Sequence, residues 1–139
     1  MAMKKRGWGQ GWWNGSGGKP LEGETIESAV VREVKEELRV DLISIEKVGE
    51  INWFHKEEDK NVICYVFLSE KWTEEPQESE EMSPKWFKKS EIPYDKMWAS
   101  DREWLPLILA QGKKIKAKFV YLKEGAEVES RKIVEVEGF

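Results

Sequence analysis

A glycine-rich turn leads directly into a helix-forming segment that carries three clustered glutamates, and this junction constrains the chain more than any other feature. Three of residues 15–18 are glycine, and residues 25–38 read as a helix with Thr at the N-cap and no Pro or Gly inside. At about 100° per residue, Glu33, Glu36 and Glu37 share one narrow arc. Ionised carboxylates within one turn repel each other. The junction therefore predicts a functional site.

A hard divalent cation removes this repulsion. Mg²⁺ takes oxygen ligands and usually keeps waters while bridging substrate phosphates. The upstream glycines allow close approach of the backbone to the same place. The structural alternative is a solvated acidic helix face, which Glu36 and Glu37 taken alone would favour. The glycines and the spacing described below reverse that preference.

The apolar side chains of the helix occupy an adjoining arc, which predicts that the glutamates lie beside the core. The predicted core face consists of Val30, Val31, Val34 and Leu38. Ala29 lies on the carboxylate arc and adds no bulk there.

Residues 18–40 resemble the Nudix box, the signature of a large family of Mg²⁺-dependent hydrolases. The matching positions, at the family's separations, are Gly18, Glu24, Arg32-Glu33 and Glu36-Glu37. The resemblance implies that Mg²⁺, or Mn²⁺ in its place, is held by Glu33, Glu36, Glu37, Glu81 and a backbone carbonyl near Gly17.

The same resemblance implies that Glu24 and Arg32 brace the loop around the helix, and the planar fork of Arg suits a bidentate contact. One position departs from the family pattern, because Arg39 stands where a glycine is expected after the last glutamates. Arg39 either forms a different turn or adopts a left-handed conformation at a cost of about 1 kcal/mol.

The resemblance extends beyond the box to animal-type MutT homologues, a Nudix branch that hydrolyses 8-oxo-dGTP. The segments that carry it are residues 3–7, 13–19, 78–82 and 92–98. The implied reaction converts oxidised purine nucleoside triphosphates to the monophosphate and pyrophosphate, which sanitises the nucleotide pool for DNA repair. Glu37 is assigned to catalysis, and either Glu33 or Glu81 is the implied proton acceptor. Lys4 and Lys19 are candidates for phosphate or sugar contacts.

A purine site needs a flat apolar face and polar groups at the base edge. Trp98 matches the family's stacking tryptophan, with Trp8 and Trp53 as further walls, and Asn14 matches its base-edge amide. The positions of the family's two edge-reading aspartates are occupied here by Ser100 and Asp101, so one carboxylate remains. Ser100 also has a competing role as a helix cap. His55 is interpreted as pocket wall or strand surface.

The remaining pattern predicts an α/β (α+β) architecture, and the resemblance implies the Nudix fold, with a mixed sheet between helices. Strands are expected at residues 44–55, 61–68 and 85–88, a loop at 71–83, and a closing hairpin at 114–136 around Glu124-Gly125. A second helix is expected at 100–111, with a capping box of Ser100 and Glu103 and a stop at Gly112.

Length and charge narrow the function further. The chain has 139 residues, which predicts a single domain over 1–139, and the resemblance implies that this is a Nudix domain. A net charge of −4 argues against a nucleic acid polymer or an acidic membrane as partner. The apolar runs are too short to span a membrane, and the single cysteine fits a reducing cytoplasm.

The chain begins after the place where the family has its first strand, so we expect the fold to lack that strand. An uncovered sheet edge there predicts self-association or lower stability. Two other functions stay open on sequence alone. One is a Nudix hydrolase of another nucleoside diphosphate derivative, and the other is a nucleotide-binding Nudix-fold module with little activity.

Overall fold

The computed structural model describes residues 1–6, 10–123 and 127–139, and the chain divides into two compact units. The first unit comprises Met1–Glu46 and Leu68–Glu91, and the second comprises Lys47–Phe67 and Ile92–Phe139. In chain order the elements are β1 (Ala2–Lys4), β2 (Trp13–Asn14), α1 (Ile26–Leu38), β3 (Leu42–His55), β4 (Lys60–Trp72), β5 (Met82–Pro84), α2 (Asp101–Leu109), β6 (Lys114–Lys123) and β7 (Glu127–Val136), with short 3-10 helices at Lys89–Glu91 and Tyr94–Lys96.

The first unit contains α1 and a three-stranded antiparallel sheet of order β2-β1-β5. The central strand β1 therefore has a neighbour on each side. Helix α1 contacts β5, and the buried side chains of Ala2 and Met82 lie in the adjoining strands. Self-association through an uncovered edge stays a prediction.

Helix α1 confirms the predicted helix and its N-cap, since the Thr25 hydroxyl accepts a hydrogen bond from the Ser28 N–H at 3.1 Å. The helix ends at Arg39, which has φ 59° and ψ 33° and donates its N–H to the Lys35 carbonyl. Of the two expected conformations for Arg39, the structure shows the left-handed one.

The buried face of α1 differs from the predicted core face. Ala29, Val34 and Glu37 are buried, whereas Val30, Val31 and Leu38 are only half-buried. The core face is therefore rotated towards the carboxylate arc, and small Ala29 packs inside it. This rotation places one glutamate in the core.

The second unit contains α2 and most of a four-stranded sheet of order β4-β3-β6-β7. Strands β3 and β6 are parallel, with Gly49 opposite Ile115 and His55 opposite Tyr121, and β6 and β7 are antiparallel. This confirms the mixed sheet and the closing hairpin, although its predicted turn at Glu124-Gly125 lies outside the described residues. Helix α2 packs against β6. The core of this unit consists of Val48, Ile51, Met97, Trp104, Leu105, Ile108, Ile115, Ala117, Phe119 and Tyr121.

Several predicted boundaries are wrong. The strand expected at residues 85–88 lies instead at β5, where residues 82–84 pair with β1. The expected loop at residues 71–83 is shorter at both ends, because β4 continues to Trp72 and β5 begins at Met82. Helix α2 ends near Gly112, which has φ 66° as expected for a helix stop.

The predicted capping box of α2 is also wrong. Ser100 makes no side-chain cap bond, and Glu103 forms an ion pair with Arg131 on β7. No helix in the described part of the chain is long and apolar enough to cross a membrane.

We expect Arg39→Gly to stabilise the protein by roughly 1 kcal/mol, because a left-handed backbone is strained for a residue with a Cβ and not for glycine. The measurement is the free energy of unfolding in urea. Arg39→Ala is the matched control, since it also removes the guanidinium but keeps the Cβ. Equal stability of the two variants would contradict the assignment of strain to this position.

Candidate active site

Arg32 on α1 connects the acidic side chains of the first unit. Its Nε and Nη2 donate to the two carboxylate oxygens of Glu24, each at 2.9 Å, which is the predicted bidentate contact. Its Nη1 donates to Glu33 at 2.8 Å and to Glu36 at 3.2 Å, and its Nη2 also donates to the Lys19 carbonyl at 3.1 Å. The contact with Glu24, and after it the contact with Glu33, raises the pKa of Arg32, and the Arg32 contact lowers the pKa of Glu24. One guanidinium therefore ties the loop to two of the clustered glutamates.

Gly18 lies against the carboxylate of Glu33. A Cβ at Gly18 would lie 2.4 Å from Glu33 Cδ, which is closer than side-chain atoms normally approach. By contrast, a Cβ at Gly15 or Gly17 would meet nothing within 4 Å. Gly18 is thus required for close approach, and the backbone there forms one wall of the space that holds the Glu33 carboxylate.

Glu37 is buried, with only 4% of its surface exposed. Its carboxylate accepts a hydrogen bond from the Ser16 hydroxyl at 3.3 Å. Burial, together with the charge of Glu33, raises the pKa of Glu37 to about 7. A buried carboxylate held beside a second carboxylate is costly unless a cation compensates it. The glycine turn, through Ser16, and α1 meet at this side chain.

Glu81 immediately precedes β5, which pairs with β1. The Lys5 N–H donates to the Glu81 carbonyl at 2.8 Å, and the Arg6 guanidinium contacts the Glu81 carboxylate at 3.2 Å. The charges of Glu81 and Lys4 both act on Glu37, the first raising its pKa and the second lowering it. The structure thus brings Lys4, Glu33, Glu37 and Glu81 together in the first unit.

Other predicted residues of the first unit are more exposed. Asn14 is exposed, and its side-chain oxygen accepts the Gly15 N–H at 2.8 Å. Lys19 is exposed and meets Arg32 only through its carbonyl among the contacts described above. Gly17 is exposed, and Trp8 lies outside the described residues.

The glutamates do not form a ready-made ligand set. Across residues 1–6, 10–123 and 127–139, no three His, Cys, Asp or Glu side chains are arranged to hold a metal ion. The reason lies in the contacts above, since Glu33 and Glu36 point to Arg32 while Glu37 turns to Ser16. The predicted ligand set stays a prediction.

The second unit gathers the predicted aromatic residues around β3 and β6. Trp53 and Trp98 are half-buried. The ring centroids of Trp53 and Trp104 are 6.3 Å apart, and those of His55 and Trp98 are 5.8 Å apart. His55 is buried and therefore belongs to the interior of this cluster, rather than to the strand surface.

Ser100 does not play its predicted role as a helix cap. It is completely buried, and its hydroxyl oxygen accepts hydrogen bonds from Trp53 Nε1 at 3.0 Å and from the Tyr121 hydroxyl at 2.6 Å. Both lone pairs of the oxygen are therefore used inside this unit. This argues against Ser100 as an acceptor for a purine edge.

Asp101 is a buried carboxyl group of the second unit, with 2% of its surface exposed. One oxygen accepts a hydrogen bond from Trp104 Nε1 at 3.0 Å, and the other has no hydrogen-bond partner among the described residues. Burial raises the pKa of Asp101 to about 7. A carboxyl group with one unused oxygen beside indole rings can accept or donate one hydrogen bond at a base edge.

Sequence reasoning missed Ser16, Tyr121 and Trp104. Ser16 sits inside the glycine turn, so its proximity to Glu37 could have been suspected from the junction alone. Tyr121 and Trp104 gave no such signal, because their partners depend on the parallel pairing of β3 with β6 and on the packing of α2.

Residues 2–108 match the model of the NUDIX domain family. The chain belongs to the Nudix family. The Nudix box resemblance is thereby confirmed, and Nudix hydrolases generally use divalent metal ions.

Several Nudix relatives are similar over most of the chain. The oxidized purine nucleoside triphosphate hydrolase of Danio rerio is 43% identical over 109 residues, covering 78% of this chain and 70% of that protein. The mouse (Mus musculus) protein of the same name is 41% identical over 113 residues, covering 81% and 72%. The crystal structure of a MutT protein from Bacillus halodurans matches with a TM-score of 0.79 and 25% identity, covering 95% of this chain and 87% of that one.

Two features of the first unit suit the binding of a divalent cation. The donors near Glu37 are carboxylate oxygens, and Glu37 is itself buried beside Glu33. The glycine at position 18 leaves room for the Glu33 carboxylate that a Cβ would remove.

We expect Gly18→Ala to weaken divalent metal binding about tenfold or more, because the new Cβ displaces the Glu33 carboxylate. Isothermal titration calorimetry with Mn²⁺ measures this affinity. Gly15→Ala is the control, since a Cβ there meets nothing within 4 Å. Equal Mn²⁺ affinity of the two variants would show that the close contact with Glu33 has no part in holding the metal.

Asp101 predicts a specific dependence of stability on pH. Its pKa in the folded protein, about 7, lies above the ordinary value of 3.8. The contribution of this carboxyl group to the stability of the fold is therefore fully present below pH 3.8 and is lost as the pH rises through about 7. Asp101→Asn removes this titration. From pH 4 to pH 8, the free energy of unfolding of the variant should therefore rise by about 1–3 kcal/mol relative to that of the parent.

Urea unfolding at both pH values measures this difference. Asp95→Asn is the control, because the Asp95 side chain is 96% exposed. Cys64 and Tyr121, whose pKa values are raised to about 11 and about 12, titrate outside this range. A gain that is the same at pH 4 and pH 8 would contradict the raised pKa of Asp101.

Proposed function

We propose that this Nudix protein hydrolyses oxidised purine nucleoside triphosphates, such as 8-oxo-dGTP, to the monophosphate and pyrophosphate. The observation that carries the proposal is the cluster of Glu33 and Glu37 at the glycine turn, held in a chain 41–43% identical to two proteins named as such hydrolases. The role is sanitation of the nucleotide pool, and the expected location is the cytoplasm. The chain acts as a single Nudix domain over residues 1–139.

The proposed metal is Mg²⁺, with Mn²⁺ as the alternative. Its proposed ligands are Glu33, Glu36, Glu37, Glu81 and the Gly17 carbonyl. When bound, the metal supplies neutralisation of phosphate charge and activation of water.

Charged side chains of this protein orient the proposed metal ligands, accept the proton of the attacking water and contact the phosphates. Arg32 holds Glu33 and Glu36 through the same Nη1, so it fixes the orientation of both carboxylates. Glu33 and Glu81 are the two proposed proton acceptors, and each already contacts an arginine. Lys4 lies near enough to lower the pKa of Glu37 and is the better placed of the two lysines to meet a phosphate. Lys19 is exposed and is proposed for a phosphate or sugar contact.

The base is assigned to aromatic and polar side chains. Trp98 and Trp53 offer indole faces, and stacking on each is worth about 1–3 kcal/mol. Asp101 offers its unused carboxyl oxygen for the purine edge. Asn14 and Trp8 are further proposed contacts, whereas the Ser100 oxygen is already saturated.

We expect Glu37→Gln to reduce Mg²⁺-dependent pyrophosphate release at least about 100-fold, because it removes a carboxylate from the proposed ligand set. Stability should be unchanged or slightly higher, since a neutral amide replaces a carboxylate whose pKa is raised by burial. Pyrophosphate release from a panel of oxidised and ordinary nucleotides measures the activity.

Glu27→Gln is the matched control, because it changes the same residue type in the first turn of α1, away from the box glutamates. Unchanged turnover in Glu37→Gln would contradict the metal assignment. Release only from other nucleoside diphosphate derivatives would favour a different Nudix hydrolase. Binding without release would favour a nucleotide-binding module.

A further inference from the structure

Tyr121 lies under the aromatic cluster of the second unit. It is 1% exposed and sits on β6 directly opposite His55 of the parallel strand β3. The two rings are stacked, with centroids 5.1 Å apart and an interplanar angle of 19°. The Tyr121 ring also contacts Trp98, at 5.9 Å between centroids. Tyr121 therefore contacts both His55 and Trp98, and Trp98 is one of the residues proposed to stack on the base.

The Tyr121 hydroxyl makes two hydrogen bonds to one residue. It accepts the Ser100 N–H at 3.0 Å and donates to the Ser100 hydroxyl oxygen at 2.6 Å. The pair is buried, so neither bond competes with water. Because both bonds go to the same residue, they fix the position of the Ser100 oxygen as well as its backbone.

Ser100 passes this constraint to Trp53. The Ser100 oxygen accepts the indole N–H of Trp53 at 3.0 Å. An indole has one donor, and here it is used inside the protein. Trp53 therefore offers a ligand its ring without an indole N–H, and the orientation of that ring depends on where Ser100 is held.

We infer that Tyr121 is a positioning residue for base recognition, which orients Trp53 through Ser100 and supports Trp98 by direct ring contact. This inference rests on the proposed function for its substrate. It assigns selectivity among purines to a buried hydroxyl that does not itself meet the base. Ser100 occupies the place of a carboxylate in the family pattern. Through its hydrogen bonds with Tyr121 it serves to orient Trp53 and not to contact the base.

The test is Tyr121→Phe, which keeps the ring and removes only the hydroxyl. We expect the KM for 8-oxo-dGTP to rise and the preference for 8-oxo-dGTP over dGTP in kcat/KM to fall about three- to tenfold, the effect of one or two lost hydrogen bonds. The kcat should change less than about twofold, because the change is confined to side chains that orient the base. Ser100→Ala should produce the same loss, and the double variant Ser100→Ala, Tyr121→Phe should lose no more than Ser100→Ala alone.

A second readout does not depend on activity. The indole N–H signal of Trp53 in a ¹H–¹⁵N spectrum, assigned with Trp53→Phe, should shift in Tyr121→Phe. Tyr65→Phe is the matched control, because Tyr65 is an exposed tyrosine of β4 in the same unit.

The outcomes separate this inference from the proposed function. If the parent protein releases no pyrophosphate from any purine nucleotide, the proposed function fails, and the Trp53 signal alone decides the positioning role. If the parent is active and Tyr121→Phe keeps both its preference and its Trp53 signal, the inference is overturned. A signal that moves equally in Tyr65→Phe would also overturn it.

Discussion

The arrangement of the acidic residues around α1 depends on the contacts of Arg32 with three carboxylates. Glu24 takes two of its N–H groups, and the Nη1 shared by Glu33 and Glu36 keeps like charges close together. Without the planar Arg32 guanidinium, these carboxylates would repel each other and move apart into solvent. The loop, the helix and the acidic cluster are therefore one electrostatic unit, anchored from a side chain that is itself only partly exposed.

The two units solve the problem of buried charge in different ways. In the first unit, Glu37 is buried beside Glu33, and the cost appears as a raised pKa. In the second unit, Asp101 is buried beside the Trp104 indole, and one of its oxygens has no hydrogen-bond partner in the described part of the chain. Burial raises its pKa. Carboxyl groups whose pKa values are strongly raised by burial are typical of functional sites.

Local patterns predicted much of this fold, and long-range pairing explains the failures. Thr25 and the unbroken helical pattern predicted α1 almost to the residue, since capping and periodicity are local. Ser100 had an equally good local signature, but the Tyr121 hydroxyl, 21 residues away, displaced the cap. The strand expected at Trp86 moved to Met82 because β1 supplied a partner there. At the site, the Arg32–Glu24 contact followed from the family resemblance together with the planar fork of Arg, whereas the burial of Glu37 depended on how α1 packs.

The contact between Gly18 and Glu33 has a consequence for how this sequence can change over evolutionary time. A Cβ at position 18 collides with the Glu33 carboxylate unless that carboxylate moves away from its contact with Arg32. A larger residue at position 18 therefore fits only after Glu33 has been displaced or exchanged. Drift at this turn would require two coordinated mutations passing through an impaired intermediate, so the glycine is held in place by a side chain fifteen positions away.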